Sequence, residues 1–188
     1  HIAHVALVEA ALSQFALDAV HVLPTGAAWH KPRQLSDAMH RLEMTRLAFA
    51  GNAKVIVDDR EIRRGGPTYT VDTLRELSAE SPGSVLHLIV GADQANALTR
   101  WHDWQGLLAI ATICVATRGH GASGNGSFDP ENPPNELQGG RFERLDFDGM
   151  DVSATRVRAR AARGEDIAAL VPPAVARYIA KHHLYTTA

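Results

Sequence analysis

Two histidines stand three residues apart at the start of the chain, in His1-Ile2-Ala3-His4. The apolar residues Val5, Val8, Leu12 and Phe15 then recur at helical spacing, so the pair sits at the first turn of an amphipathic helix. There the unpaired backbone N–H groups and the positive end of the helix dipole favour an anion. Imidazoles in that place could hold phosphates, although an H-x-x-H at a chain end is commonly a solvated pair and a metal would ask for a third ligand. Ser153-Ala154-Thr155 followed by Arg158 sets two hydroxyls and a guanidinium at another helix start. Backbone donors, hydroxyls and a bidentate cation suit phosphate oxygens. The plainer alternative is an ordinary N-cap serine among surface arginines, and Arg156 and Arg160 are read as solvated. Gly91-Ala92-Asp93, at the end of the most apolar run, offers close backbone approach beside a carboxylate able to accept from ribose hydroxyls. Trp101 and Trp104 recur at helical spacing, which fits core packing and equally a stacking surface for a flat ring.

These residues must be positioned by alternating strands and helices. Short apolar runs at Ala19–Leu23, Val55–Val57, Val85–Val90 and Ile113–Ala116 read as strands, with Phe142–Phe147 as a last, alternating one. Between them Asp37 caps a helix through Leu42 and Phe49, Thr70 caps one carrying Val71, Leu74 and Leu77, and Trp101–Ala109 forms another. Ser153–Ala162 is a helix ended near Gly164, and Pro172-Pro173 opens the last one. Residues 118–140, rich in Gly, Pro, Asn and Ser, read as one long surface loop. Strands that are continuously apolar and separated by helices predict an α/β fold, a doubly wound parallel sheet with helices on both faces. Ligands of such sheets lie beyond the carboxyl ends of the strands, where most of the unusual polar residues fall.

The chain is 188 residues long, 45% hydrophobic and 21% charged, the balance of one soluble domain spanning 1–188. With 19 Lys+Arg against 21 Asp+Glu there is no basic field to drive nucleic-acid or membrane binding, so any anion is held locally. The single cysteine, Cys114, excludes an intrachain disulfide and a multi-thiolate metal site, and suits a cytoplasmic location. Neither a membrane span nor a signal peptide is read.

Taken in order, the motifs resemble those of bacterial nicotinate-nucleotide adenylyltransferases, within the H-x-G-H nucleotidyltransferase superfamily. His1-Ile2-Ala3-His4 is similar to the H-x-G-H motif, and Val152-Ser153-Ala154-Thr155-Arg156-Val157-Arg158 to the I-S-S-T-x-I-R signature. Between them stand Asp58-Asp59-Arg60-Glu61, Gly66-Pro67-Thr68-Tyr69-Thr70-Val71-Asp72-Thr73-Leu74, Gly91-Ala92-Asp93 and Trp101-His102-Asp103-Trp104. Val171-Pro172-Pro173-Ala174-Val175 through Leu184-Tyr185 closes the match. Several patterns in the right order are far more specific than any one.

The resemblance implies a Rossmann-like fold and transfer of AMP from ATP to nicotinate mononucleotide, giving deamido-NAD and pyrophosphate. The substrate's own phosphate is then the nucleophile, and no serine or cysteine nucleophile is required. His1, His4 and Arg158 take the catalytic places; Gly91, Asp93, Ser153 and Thr155 join them around ATP. Trp101 lies against the pyridine ring, backbone N–H groups around Tyr69, Thr70 and His102 receive its carboxylate, and Arg118 meets the mononucleotide phosphate. His30 and Lys31 add positive charge at the entrance. Mg²⁺ is implied as a phosphate-bridging ion with few protein ligands, and no metal site is assigned to the chain itself. The resemblance further places a first strand and a G-G-T-F-D-P loop ahead of His1, so the chain is expected to begin part-way through the domain. Ala3 stands where the motif has glycine. Rival readings are an adenylyltransferase for another acceptor such as phosphopantetheine, and a nucleotide-binding module without catalysis. A homo-oligomer is compatible with the sequence.

Overall fold

In the computed structural model, residues 1–26, 37–118, 128–147 and 149–186 are described. They pack as two compact units, one made of His1–Gly65 with Met150–Ala188 and the other of Gly66–Gly149.

In the first unit, helix α1 (Ile2–Gln14) precedes strand β1 (Val20–Val22), and helix α2 (Ala38–Phe49) precedes strand β2 (Val55–Val57). Asp37 caps α2 as expected, its carboxylate accepting from the Met39 N–H at 2.7 Å. The strands pair in parallel with Val20 opposite Val55 and Val22 opposite Val57. The valines of this pair close on Val8 and Leu12 of α1 and Phe49 of α2. A second cluster joins α7 (Ala154–Ala162) to α8 (Pro173–Lys181) through Val157, Leu170, Val175 and Ile179, with Met44 and Leu47 of α2 packed against it. Pro173 occupies the first helical position of α8, where its missing N–H costs nothing. A short helix, α3 (Arg60–Arg64), follows β2 where the sequence reading had none.

The second unit is a parallel sheet of β3 (Leu86–Gly91), β4 (Ala111–Arg118) and β5 (Arg141–Phe147), in that spatial order. Helices α4 (Thr70–Glu80), α5 (Ala92–Asn96) and α6 (Trp104–Ile110) accompany it. Val71 and Leu74 of α4 and Leu107 of α6 bury against Val90, Ile113 and Val115 on one face. On the opposite face Thr112 and Cys114 are buried too. β4, the central strand, is buried on both sides, which explains why it reads as a continuous apolar run. No helix among the described residues is long and apolar enough to cross a membrane.

Three local expectations are corrected. Thr70 is the first helical residue of α4 and Tyr69 its N-cap. The helix expected over Trp101–Ala109 begins only at Trp104, as α6, and a 3-10 turn at Leu98–Arg100 precedes it. The break is Asp103, held at φ 46° with its carboxylate accepting from the Gly106 N–H at 3.2 Å. A Cβ at Gly106 would meet that carboxylate at 2.5 Å, so a side chain there displaces Asp103 from its capping position. Within the 118–140 stretch, Phe128 and Leu137 are buried in the core of the second unit and Asn135–Leu137 forms a 3-10 turn.

Candidate active site

His1 is the N-cap of α1 and His4 lies in its first turn. The helix turns both imidazoles onto one side, where the rings stack with centroids 3.8 Å apart. Neither side chain caps the helix, and Nδ1 of His1 is buried without a hydrogen bond among the described residues. Desolvation brings His4 down to about 4, so its ring is neutral near pH 7. Ala3, at the motif's glycine position, is buried. The Ile2 N–H donates to the Leu170 carbonyl at 3.0 Å, and Leu170 packs with Val157 of α7, which ties the mouth of α1 to the α7 cluster within one unit.

At the start of α7, Ser153 is the N-cap and its hydroxyl accepts from the Arg156 N–H at 3.2 Å. Arg158 Nη2 donates to the Thr155 hydroxyl at 3.3 Å. These two residues, with Ala159, Ala162 and Tyr185, line a cleft of about 320 Å³. The neighbouring arginines are not simply solvated. Arg156 donates to the Asp151 carboxylate at 2.6 Å and to its carbonyl at 2.8 Å, and Arg160 pairs with Glu165 at 3.1 Å. Of the three arginines of α7, Arg158 is the one that faces the cleft.

In the second unit, Tyr69 stands at the mouth of α4 and makes no side-chain capping bond. Its ring lies 4.1 Å from the exposed His102 ring, centroid to centroid. First-turn N–H groups beside two aromatic edges can receive a planar carboxylate. Trp101 lies on extended backbone just before α6, partly buried against the core. Gly91 ends β3, and a Cβ there would meet Asp93 Oδ1 at 2.8 Å, so the glycine makes room for that carboxylate. Gln94 Nε2 donates to the other oxygen of Asp93 at 2.9 Å. Burial, with the Glu143 charge adding to it, pushes the Cys114 thiol up to about 12 and removes it as a nucleophile at neutral pH.

Comparison with known proteins decides what this arrangement belongs to. A family model described as cytidylyltransferase-like matches residues 1–160. A relative from Albidiferax ferrireducens, named "probable nicotinate-nucleotide adenylyltransferase", is 53% identical over 188 residues, covering 100% of this chain and 93% of its own. The chain belongs to the nicotinate-nucleotide adenylyltransferase family. A second relative of that name, from Methylibium petroleiphilum, is 39% identical over 98% of this chain and 86% of its own. Among solved structures, the Plasmodium falciparum nicotinic acid mononucleotide adenylyltransferase complexed with NaAD superposes with a TM-score of 0.72 at 18% identity, over 98% of this chain and 90% of that one. The same protein complexed with APC gives 0.73 at 16% identity, again over 98% and 90%. These likenesses show the fold, the Rossmann-like parallel α/β arrangement expected from the sequence.

Within this adenylyltransferase the residues expected to act together fall into two sets. His1, His4, Ser153, Thr155 and Arg158 lie in the first unit; Tyr69, Thr70, Gly91, Asp93, Trp101 and His102 lie in the second. Arg118 is the last residue of β4. His30 and Lys31 lie outside the described residues. Sequence reasoning gave no role to Tyr185, which lines the Arg158 cleft, or to the group beyond the carboxyl end of β2. There the Asp58 carboxylate accepts from Arg60 Nε at 2.7 Å and lies 3.2 Å from His21 Nδ1. Asp58-Asp59-Arg60-Glu61 marked that group in the sequence; the partnership with His21 needed the pairing of β1 with β2 to become visible.

Proposed function

We propose that the protein transfers AMP from ATP to nicotinate mononucleotide, releasing pyrophosphate and forming deamido-NAD, and that the residues above divide the work. The observation that carries the reading is the placement of His1, His4, Ser153, Thr155 and Arg158 at two helix starts of one packed unit, in a chain 53% identical along its length to a named adenylyltransferase. A phosphate oxygen of the mononucleotide attacks the α-phosphorus of ATP; that P–O bond forms as the bond to the β-phosphate oxygen breaks, and the electron pair leaves with pyrophosphate. Such a step asks the protein for position and charge rather than covalent chemistry. His1 and His4, backed by the N-terminus of α1, take the charge growing on the leaving group. Ser153, Thr155 and Arg158 hold the same polyphosphate through hydroxyl and guanidinium donors. Asp93 and Gly91 serve the ATP nucleoside. For the acceptor, Trp101 stacks on the pyridine ring, the first-turn N–H groups of α4 with Tyr69, Thr70 and His102 receive its carboxylate, and Arg118 meets its phosphate.

The donors of the first unit are hydroxyls, imidazoles and a guanidinium, with the nearby Asp151 carboxylate engaged by Arg156. That set grips phosphate oxygens and leaves Mg²⁺ to ride on the polyphosphate and water, as this ion prefers. When bound, Mg²⁺ supplies charge neutralisation across the phosphates. A cytoplasmic location fits an enzyme that uses ATP and keeps its single thiol buried.

The test is direct. Incubation with ATP, Mg²⁺ and nicotinate mononucleotide releases pyrophosphate, and replacing the acceptor by nicotinamide mononucleotide or phosphopantetheine releases far less. Equal rates with phosphopantetheine overturn the acceptor assignment, and nucleotide binding without pyrophosphate overturns the enzyme.

A further inference from the structure

The central strand of the second unit carries Cys114 with Glu143 directly opposite it on β5 and Ile89 opposite it on β3. Side chains two residues apart on a strand share a face, so His87, two before Ile89, lies on the face that bears Cys114 and Glu143. One donor atom from each of His87, Cys114 and Glu143 lies within 4.8 Å of the other two. The outer strands stand on either side of β4, at about 4.8 Å per step. Their side chains therefore lean inward over the cysteine to close that distance. This set is far from the carboxyl ends of the strands that carry Gly91 and Arg118. Gly91 is four positions beyond His87, and Arg118 four beyond Cys114, about 13 Å at the rise of a parallel strand.

We propose that His87, Cys114 and Glu143 form a site for a thiophilic divalent transition-metal ion of the Zn²⁺ type, which staples the three strands of this sheet. A tetrahedral zinc with sulfur, imidazole and carboxylate ligands holds donor atoms about 3.3–3.8 Å apart. The observed envelope reaches that spacing through side-chain adjustment, with no change of register. A cysteine sulfur and an imidazole select zinc-like ions over Mg²⁺, whose preference is for oxygen, so this site is separate in chemistry from the ion that accompanies ATP. Cys114 is buried while Glu143 is exposed and His87 half-buried, so an ion enters from the Glu143 side and keeps a water as its fourth ligand. Arg141, two residues before Glu143 on β5, is turned to Thr112, donating to its hydroxyl at 3.2 Å.

The chain has one cysteine, which makes the test specific. Metal-free protein is titrated with Co²⁺ and the near-ultraviolet thiolate-to-cobalt charge-transfer band is recorded. The band rises to one equivalent, Zn²⁺ displaces it, and Zn²⁺ raises the thermal midpoint of the metal-free protein. Glu143→Gln, at an exposed position, keeps the metal-free midpoint and binds Co²⁺ at least about tenfold more weakly, as expected for loss of a first ligand or its orienting partner. His87→Gln lowers affinity in the same way. Absence of a thiolate band with cobalt in excess overturns the proposal. So does unchanged cobalt affinity in both variants, and so does cobalt bound with only the weak bands of imidazole and carboxylate ligation, which would place the ion at histidines elsewhere.

Discussion

The rings of His1 and His4 stack at the mouth of α1 with 3.8 Å between centroids and 23° between planes. His4 is exposed at the helix mouth, and desolvation by its neighbours disfavours its charged form, with a value of about 4. Polyphosphate arriving at the helix mouth reverses that balance, because an adjacent anion favours the imidazolium. Binding of ATP near pH 6 is therefore accompanied by proton uptake, and affinity rises as the pH is lowered from 8 to 6. Calorimetry in buffers of different ionisation enthalpy reads the uptake directly. His4→Gln removes it, and by analogy with loss of one transition-state donor slows turnover by about 10²–10³-fold while the thermal midpoint stays close to that of the parent. Uptake that persists in the variant would assign the proton to another group.

Arg158 and Arg156 lie on one helix and differ in their partners. Arg156 is held by Asp151 through its carbonyl and carboxylate, whereas Arg158 reaches Thr155 in the cleft. A charge-assisted hydrogen bond contributes about 1.5–3 kcal/mol, or roughly ten- to more than a hundred-fold in binding. Arg158→Ala raises the KM for ATP by that range, and Arg158→Lys recovers only part because the bidentate fork is lost. Arg156→Ala changes it less than about threefold. Steady-state kinetics on the three variants, with the mononucleotide saturating, separates the roles; equal effects at both positions would mean a diffuse positive field instead of a defined contact.

Much of this is legible in the sequence. The runs Val85–Val90 and Ile113–Ala116 announce parallel strands because a strand covered on both faces has no polar side to alternate with. Asp37 and Ser153 announce helix starts because their side chains bond the first-turn N–H groups. What was hidden depends on partners remote in sequence or on one unusual torsion. Asp103 in a left-handed conformation splits Trp101 from Trp104, and helical spacing alone gives no warning of that. Arg160 finds Glu165 only because Gly164, with φ at 68°, turns the chain back at the end of α7. Glu143 comes to lie opposite Cys114 through strand register, which no local pattern encodes.

Asp58 makes the first unit sensitive to acid. Burial by itself would raise this carboxyl, but hydrogen bonds from the Arg60 side chain and backbone, and one from His21, outweigh it and hold the group at about 2 against an ordinary 3.8. A native value below the unfolded one means that the carboxylate stabilises the fold at and above about pH 4. That contribution is lost as the pH falls from about 4 to about 2. The contribution is on the order of 2 kcal/mol. Asp58→Asn lowers stability at pH 7 by about that amount or more, since it also leaves Arg60, whose side chain is 12% exposed, without its carboxylate. Urea unfolding of the two proteins at pH 7, 4 and 2.5 should show curves that converge with acid. A gap that stays constant would mean that Asp58 acts through packing.

Trp101 offers the sharpest division between the two substrates. It sits on extended backbone with its side chain partly buried against the core of the second unit, so part of its indole is committed to packing and the remainder is available to a planar ring. Stacking of a heterocycle on an aromatic side chain is worth about 1–3 kcal/mol, roughly five- to a hundred-fold in affinity. Trp101→Ala therefore raises the KM for nicotinate mononucleotide within that range and leaves the KM for ATP within about twofold. Trp101→Phe, which keeps a ring and most of the packed surface, restores much of the loss. The packing role is read separately in the thermal midpoint, which falls for the alanine variant and changes little for phenylalanine. If both KM values rise together in proportion to the lost stability, Trp101 is a core residue and the pyridine ring is held by other contacts.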